Sequence, residues 1–129
     1  MKHILLAALI VSMTAYRIPL FPVAIASDEM ITGPIRIGSV EVQVSSAQPT
    51  RVYAHVQGIV GDFCTEALPV QQTREGNTIA LTLNRQRPAK EVCPQIAKVF
   101  DQNIRLLGEF PPGEYVLRVN SVEKKFRVP

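Results

Sequence analysis

Residues 110–120 read FPPGEYVLRVN, and their pattern decides the fold class. Pro111, Pro112 and Gly113 make a turn, because proline presets the bend and glycine takes dihedrals closed to other residues. Beyond the turn, Tyr115, Leu117 and Val119 alternate with Glu114, Val116 and Arg118. A period of two puts the first three on one face of a β-strand, the face a core would bury. After a second turn across Asn120, Ser121 and Val122, the segment EKKFRV returns as the other half of a hairpin.

The same period runs upstream. In IRIGSVEVQV, Ile35 and Ile37 hold one parity and Val40, Val42 and Val44 the other. That switch predicts a bulge at Gly38-Ser39, where one extra residue resets the register. In the next strand Val52, Ala54 and Val56 share a face, with Tyr53, His55 and Gln57 opposite. EALPVQQT carries Pro69 and predicts an edge or bulged strand, since proline lends no N–H to a ladder. After the turn EGN, TIALTLNR points Ile79, Leu81 and Leu83 inward. KVFDQNIRLLGEF matches a helix through Phe100, Ile104 and Leu107 and a strand through residues 103–106; an irregular start and a strand near 103–107 are expected. Seven short strands with turn signals roughly every 8–15 residues, and no long helical pattern, predict an antiparallel β-sandwich. The longest loop is expected at residues 84–95, NRQRPAKEVCPQ.

The amino-terminal residues carry a different signal. Lys2 precedes an apolar run from Ile4 to Met13, and Ala24-Ile25-Ala26 is a small-x-small site. This predicts a secretory signal over 1–26, cleaved before Ser27, and one β-sandwich domain over 27–129, secreted or periplasmic. The apolar run is shorter than the about 20 residues of a spanning helix, so membrane attachment is expected only through an uncleaved leader. Setting aside Lys2 and Arg17 leaves twelve basic against eleven acidic residues, and the net charge falls from +3 to +1. The basic character belongs mostly to the leader, and no nucleic-acid partner is expected. Cys64 and Cys93 are the only cysteines. An even pair in an exported chain predicts a disulfide. Their spacing fits neither a C-x-x-C redox motif nor a zinc knuckle.

The segment LLGEFPPGEYVLRV, with Leu107, a Pro-Gly turn and then Tyr115, resembles the tyrosine corner of immunoglobulin-like and fibronectin type III-like sandwiches. The resemblance implies that the Tyr115 hydroxyl bonds to backbone a few residues upstream, and that Tyr115 and Gly113 form a structural corner. The chain departs from antibody-type domains. It has no Trp, and Leu117 stands two residues past Tyr115 where those domains have a cysteine. GDFC, EVC and PPGEYVLRVN together resemble small exported bacterial immunoglobulin-like domains without an assigned activity.

Candidate chemistry is sparse. His55 is the one histidine after the leader, placed mid-strand between Tyr53 and Gln57 as an ordinary sheet residue. Asp62 and Glu66 flank Cys64, but two carboxylates without further oxygen ligands make a poor cation site. No nucleophile-elbow, zinc-protease or phosphate-loop motif occurs, and neither catalysis nor a cofactor or metal is expected. Arg85, Arg87 and Lys90 form a basic run on the expected 84–95 loop, a candidate partner-binding surface. By parity Phe100, Tyr115 and Phe126 belong to the core, leaving Tyr53, Phe63 and Phe110 as candidate surface rings. The expectation is a non-catalytic exported module with an interaction or structural surface for a protein or envelope partner. The alternative is a small protease inhibitor presenting loop 84–95, an inference from fold-level resemblance.

Overall fold

A computed structural model of the protein describes residues 15–21 and 29–129. The predicted cleavage site before Ser27 and most of the predicted signal lie outside the described residues. Ten strands follow: β1 (Met30–Pro34), β2 (Arg36–Val44), β3 (Val52–Gly61), β4 (Glu66–Ala67), β5 (Gln71–Glu75), β6 (Thr78–Thr82), β7 (Asn84–Pro88), β8 (Lys98–Arg105), β9 (Gly113–Val119) and β10 (Val122–Val128). They form three sheets, ordered β2-β3-β8, β10-β9-β6-β5 and β1-β7-β4. The first two supply the sides of one core. Val40, Val52, Ala54, Val56 and Phe100 come from one, and Ile79, Leu81, Tyr115, Leu117 and Val119 from the other. The alternating apolar residues face inward for the reason the sequence gives: period-two strands bury one face each.

Ten strands replace the expected seven because two apparent strands break and a further strand, β1, precedes the first. Ile35 is buried between β1 and β2, and Leu83 between β6 and β7. At each the chain passes from one sheet to another, and the two crossings are joined by Ile35 N–H donating to Leu83 O at 3.0 Å. Pro69 sits in the gap between β4 and β5, which join different sheets. Residues 84–88 therefore form a strand and not the start of a loop; the irregular segment covers 89–97. β8 begins at Lys98, earlier than the strand expected near 103–107, because residues 98–102 pair with β3, an extension that Gln102 hides by interrupting the apolar parity of Phe100 and Ile104. The sandwich is also not wholly antiparallel, since β6 and β9 pair in parallel. The register of β2 on β3 shifts between Ile37 and Ser39, the bulge marked by the parity switch. There the backbones crowd: a Cβ on Gly58 would fall 2.2 Å from Arg36 O.

Tyr115 is buried, and its hydroxyl donates to Pro111 O at 2.6 Å. Gly113 opens β9 with φ of 154°, which L side chains rarely adopt. Phe110, expected at the surface, is buried against Tyr115 in an edge-on contact with centroids 5.5 Å apart. The guanidinium of Arg74 covers the Phe110 ring at 4.9 Å and donates to Glu109 O, closing the corner from outside. Tyr115→Phe is expected to lower stability by about 0.5–1.5 kcal/mol, the net worth of one hydrogen bond. An unchanged urea midpoint would show that the ring packing alone holds the corner.

Candidate functional site

The end of the sandwich where β3 stops is built by residues from four segments. Past Gly61 the chain bends at Asp62, whose Oδ1 accepts from Cys64 N–H at 3.2 Å and from the Thr65 hydroxyl at 2.7 Å. Asp residues favour such turns because a short carboxylate reaches the backbone two residues on. The other oxygen, Oδ2, meets Arg87 Nη2 at 2.9 Å. The Thr65 hydroxyl, foremost, and then the Arg87 charge hold the Asp62 carboxyl below the usual carboxylate value, against the opposing effect of burial. Asp62 is thus fully used by the fold, and Glu66, the other candidate cation ligand, stands exposed in β4.

The Cys64–Cys93 disulfide, with Cα atoms 5.8 Å apart, ties this bend to segment 89–97. Phe63 N–H adds a long bond to Pro94 O at 3.4 Å. Glu91 lies beside both sulfurs, but sulfurs bonded to each other offer no thiolate to a metal.

Of the basic run, the structure brings Arg85 and Arg87 together and separates Lys90. Alternate residues of a strand share a face, so Arg85 and Arg87 both project beneath the β1-β7-β4 sheet. Arg85 Nη1 donates to Val60 O at 2.7 Å. With Ile31, Thr32, Thr65 and Gln95 they line a cavity of about 210 Å³. Lys90 is exposed in the turn after β7. Arg87 Nε is shut off from solvent and has no acceptor.

Around this end the apolar side chains turn outward. Ile59 and Val99 stand opposite each other on β3 and β8 and are exposed. Phe63 and Ile96 are each 64% exposed, and Val92 fully so. Met30 and Ile31 are exposed on β1, which lies along β7. Among the described residues from 29 onward, the other exposed large apolar side chain is Leu107, after β8.

His55 lies elsewhere, on the outward face of β2-β3-β8. Its Nε2 is 2.6 Å from Asp101 Oδ1, Gln57 Nε2 donates to Asp101 Oδ2 at 3.3 Å, and the Ser39 hydroxyl donates to Gln57 Oε1 at 3.1 Å. The bonds from His55 and then Gln57 lower the Asp101 pKa. Gln57 is legible beside His55 from the strand period; Asp101, 46 residues away, is not. The Ser39 hydroxyl donates to Gln57 and not to the imidazole, so the row runs as polar contacts across the sheet face.

Three relatives carry much of this chain. It is 33% identical over 92 residues to an uncharacterized 10.2 kDa protein in the HgiCIIM 5′ region of Herpetosiphon aurantiacus, a match covering 71% of this chain and 98% of the relative. It is 30% identical over 82 residues to uncharacterized 10.2 kDa proteins in the HgiBIM and HgiEIM 5′ regions of the same organism, covering 64% of this chain and 100% of each relative. No solved structure matches. The family described as the ORF11 beta-sandwich domain matches residues 54–128, a span that holds most of β3, all of β4 to β10, both cysteines and the Tyr115 corner. The chain belongs to the ORF11 beta-sandwich domain family.

Proposed function

We propose that the protein is a non-catalytic exported module that binds a protein of the cell envelope or exterior through the disulfide-tied end of its sandwich. The observation that carries this reading is the gathering of exposed apolar side chains (Ile31, Ile59, Phe63, Val92, Ile96, Val99) at one end. A folded domain that leaves such residues together, beside a polar cavity, has the composition of a contact surface. The disulfide supports an oxidising compartment, in keeping with the secretory signal read over 1–26. The immunoglobulin-like character read from the Tyr115 corner fits a scaffold that presents its ends. A photo-crosslinking residue at position 96, in cells exporting the protein, is expected to give a discrete adduct. The adduct should disappear with Phe63→Ser, and none should form from position 107. Equal labelling from both positions, or none from either, would refute the reading.

Segment 89–97 also supports the inhibitor reading. It is irregular, carries fully exposed Val92, and is fixed next to that residue by Cys93. A tethered, extended loop resists the rearrangement that cleavage needs and enters a protease cleft at low entropic cost. Micromolar oxidised protein that inhibits no member of a serine- and cysteine-protease panel would remove this alternative.

A further inference from the structure

The geometry points to the cavity under β1-β7-β4 as a binding site for a carboxylate, held by Arg85 and Arg87. Two guanidinium groups face a space that contains one acid, Asp62, so the lining carries one uncompensated positive charge. Asp62 cannot neutralise both. Its Oδ1 is taken by Cys64 and Thr65, and only Oδ2 reaches Arg87. Arg85 spends Nη1 on Val60 O, a neutral acceptor, and keeps the rest of its donor fork. Arg87 Nε has no acceptor at all. A buried donor without a partner is costly and calls for an ion, water or ligand atom. An Arg87 that turns its Nε edge toward an incoming carboxylate gains the bond it lacks.

The surroundings fit a planar monoanion. Guanidinium and carboxylate match in two parallel bonds. A single net charge suits one carboxylate, whereas a phosphate dianion would meet the Asp62 carboxylate across the same small space. The Gln95 amide, one N–H of which donates to Cys93 O at 3.3 Å, adds a neutral donor to the lining. The end of β3 comes close to Arg85 because residue 61 is glycine: with φ of 152°, a Cβ there would fall 2.9 Å from Thr65 Oγ1 and 3.1 Å from Arg85 Nη1. Ile31 lines the cavity, and Phe63 and Ile96 are exposed at the same end. The occupant is therefore a carboxylate flanked by apolar groups, either an acidic side chain or a chain terminus of the partner. This deepens the docking reading above and rests on it for the source of the carboxylate alone.

The test uses small probes and needs no partner. The oxidised protein is titrated with acetyl-aspartate amide and with acetyl-glycine, which carry a side-chain and a terminal carboxylate. Acetyl-asparagine amide is the neutral control and inorganic phosphate the tetrahedral anion. Arginine Nε–H and the Gly33 and Gly61 amide resonances are followed. Saturable shifts with at least one carboxylate are expected, with a Kd on the order of 1–10 mM, the range of a fragment held by one charge-assisted fork. The tighter of the two carboxylates identifies the source. Arg85→Gln should weaken binding about tenfold, the worth of one charged hydrogen bond. Should that variant unfold, Gln95→Leu, which replaces a rim residue, should weaken it measurably in a folded protein. No saturable shift in the wild-type protein, equal shifts with the neutral amide, or tighter binding of phosphate would each overturn the assignment. The crosslinking at position 96 would stand untouched by any of these.

Discussion

Replacing both Cys64 and Cys93 with alanine is expected to lower the unfolding free energy by about 3–4 kcal/mol, the entropy regained by an unfolded chain freed of a loop of about 30 residues. The cysteines are 29 positions apart, and between them the chain runs through β4, β5, β6 and β7. A domain of this size holds only about 5–15 kcal/mol, so the thermal midpoint should fall by roughly 12–30 °C. Urea denaturation of the two oxidised and cysteine-free proteins checks the value. The effect should be uneven. Residues 89–97 have few other ties, chiefly the Phe63–Pro94 and Ala89–Glu29 backbone bonds, and their amides should lose protection first. A loss below about 1 kcal/mol, the low end of measured disulfide effects, would show that packing around buried Cys93 holds the segment without the bridge.

Asn120→Ala is expected to cost about 2–4 kcal/mol, from two backbone groups left without partners and a strained backbone. In the sequence Asn120 is a hairpin turn residue. In the fold its side chain is the clamp between both sheet crossings. Its amide donates to Ile35 O at 2.9 Å and to Leu83 O at 3.0 Å, and its Oδ1 accepts from Leu83 N–H at 2.9 Å. Its own N–H donates to Leu81 O. Asn120 also has φ of 52°, a region that asparagine tolerates and alanine does not. Asn120→Gly separates the two contributions. It keeps the backbone conformation and loses only the side-chain bonds, so it should recover roughly 1 kcal/mol of the alanine loss. Equal midpoints for the glycine and alanine variants would mean that the left-handed backbone adds nothing to the cost. A wild-type midpoint in both would mean that water replaces the clamp.

Much of the β-architecture was legible because burial obeys a period of two. The inward sets Val52, Ala54, Val56 and Ile79, Leu81, Leu83, the bulge near Gly38 and the final hairpin all follow from it. The strand breaks were hidden because a chain that crosses between sheets keeps its parity. Ile35 and Leu83 look like ordinary inward residues and are instead the crossings themselves. For the site, charge drew attention to Arg85 and Arg87 but also placed them in a loop. The signal that would have corrected this is that they continue the parity of Ile79, Leu81 and Leu83, so their side chains turn inward. Phe110 was misplaced because it precedes its strand, where parity no longer applies. The partners of the arginines, Val60 O and Asp62, come from a segment joined to them only by the tertiary fold.

The parallel pairing of β6 with β9 bears on how the molecule comes together. Antiparallel neighbours β5–β6 and β9–β10 are joined by two-residue turns, β2–β3 by the loop 45–51, and each pair closes as soon as both halves exist. β6 ends at Thr82, and its other neighbour starts at Gly113. A chain delivered amino terminus first therefore carries TIALT, rich in strand-forming residues, with one row of N–H and C=O groups bare until nearly the whole polypeptide has arrived. Pairings across such distances close on the millisecond-to-second scale. During that interval the open edge of β6 is a template for the same segment of another copy. Crowding of unfinished chains is therefore the condition that most favours such mispairing.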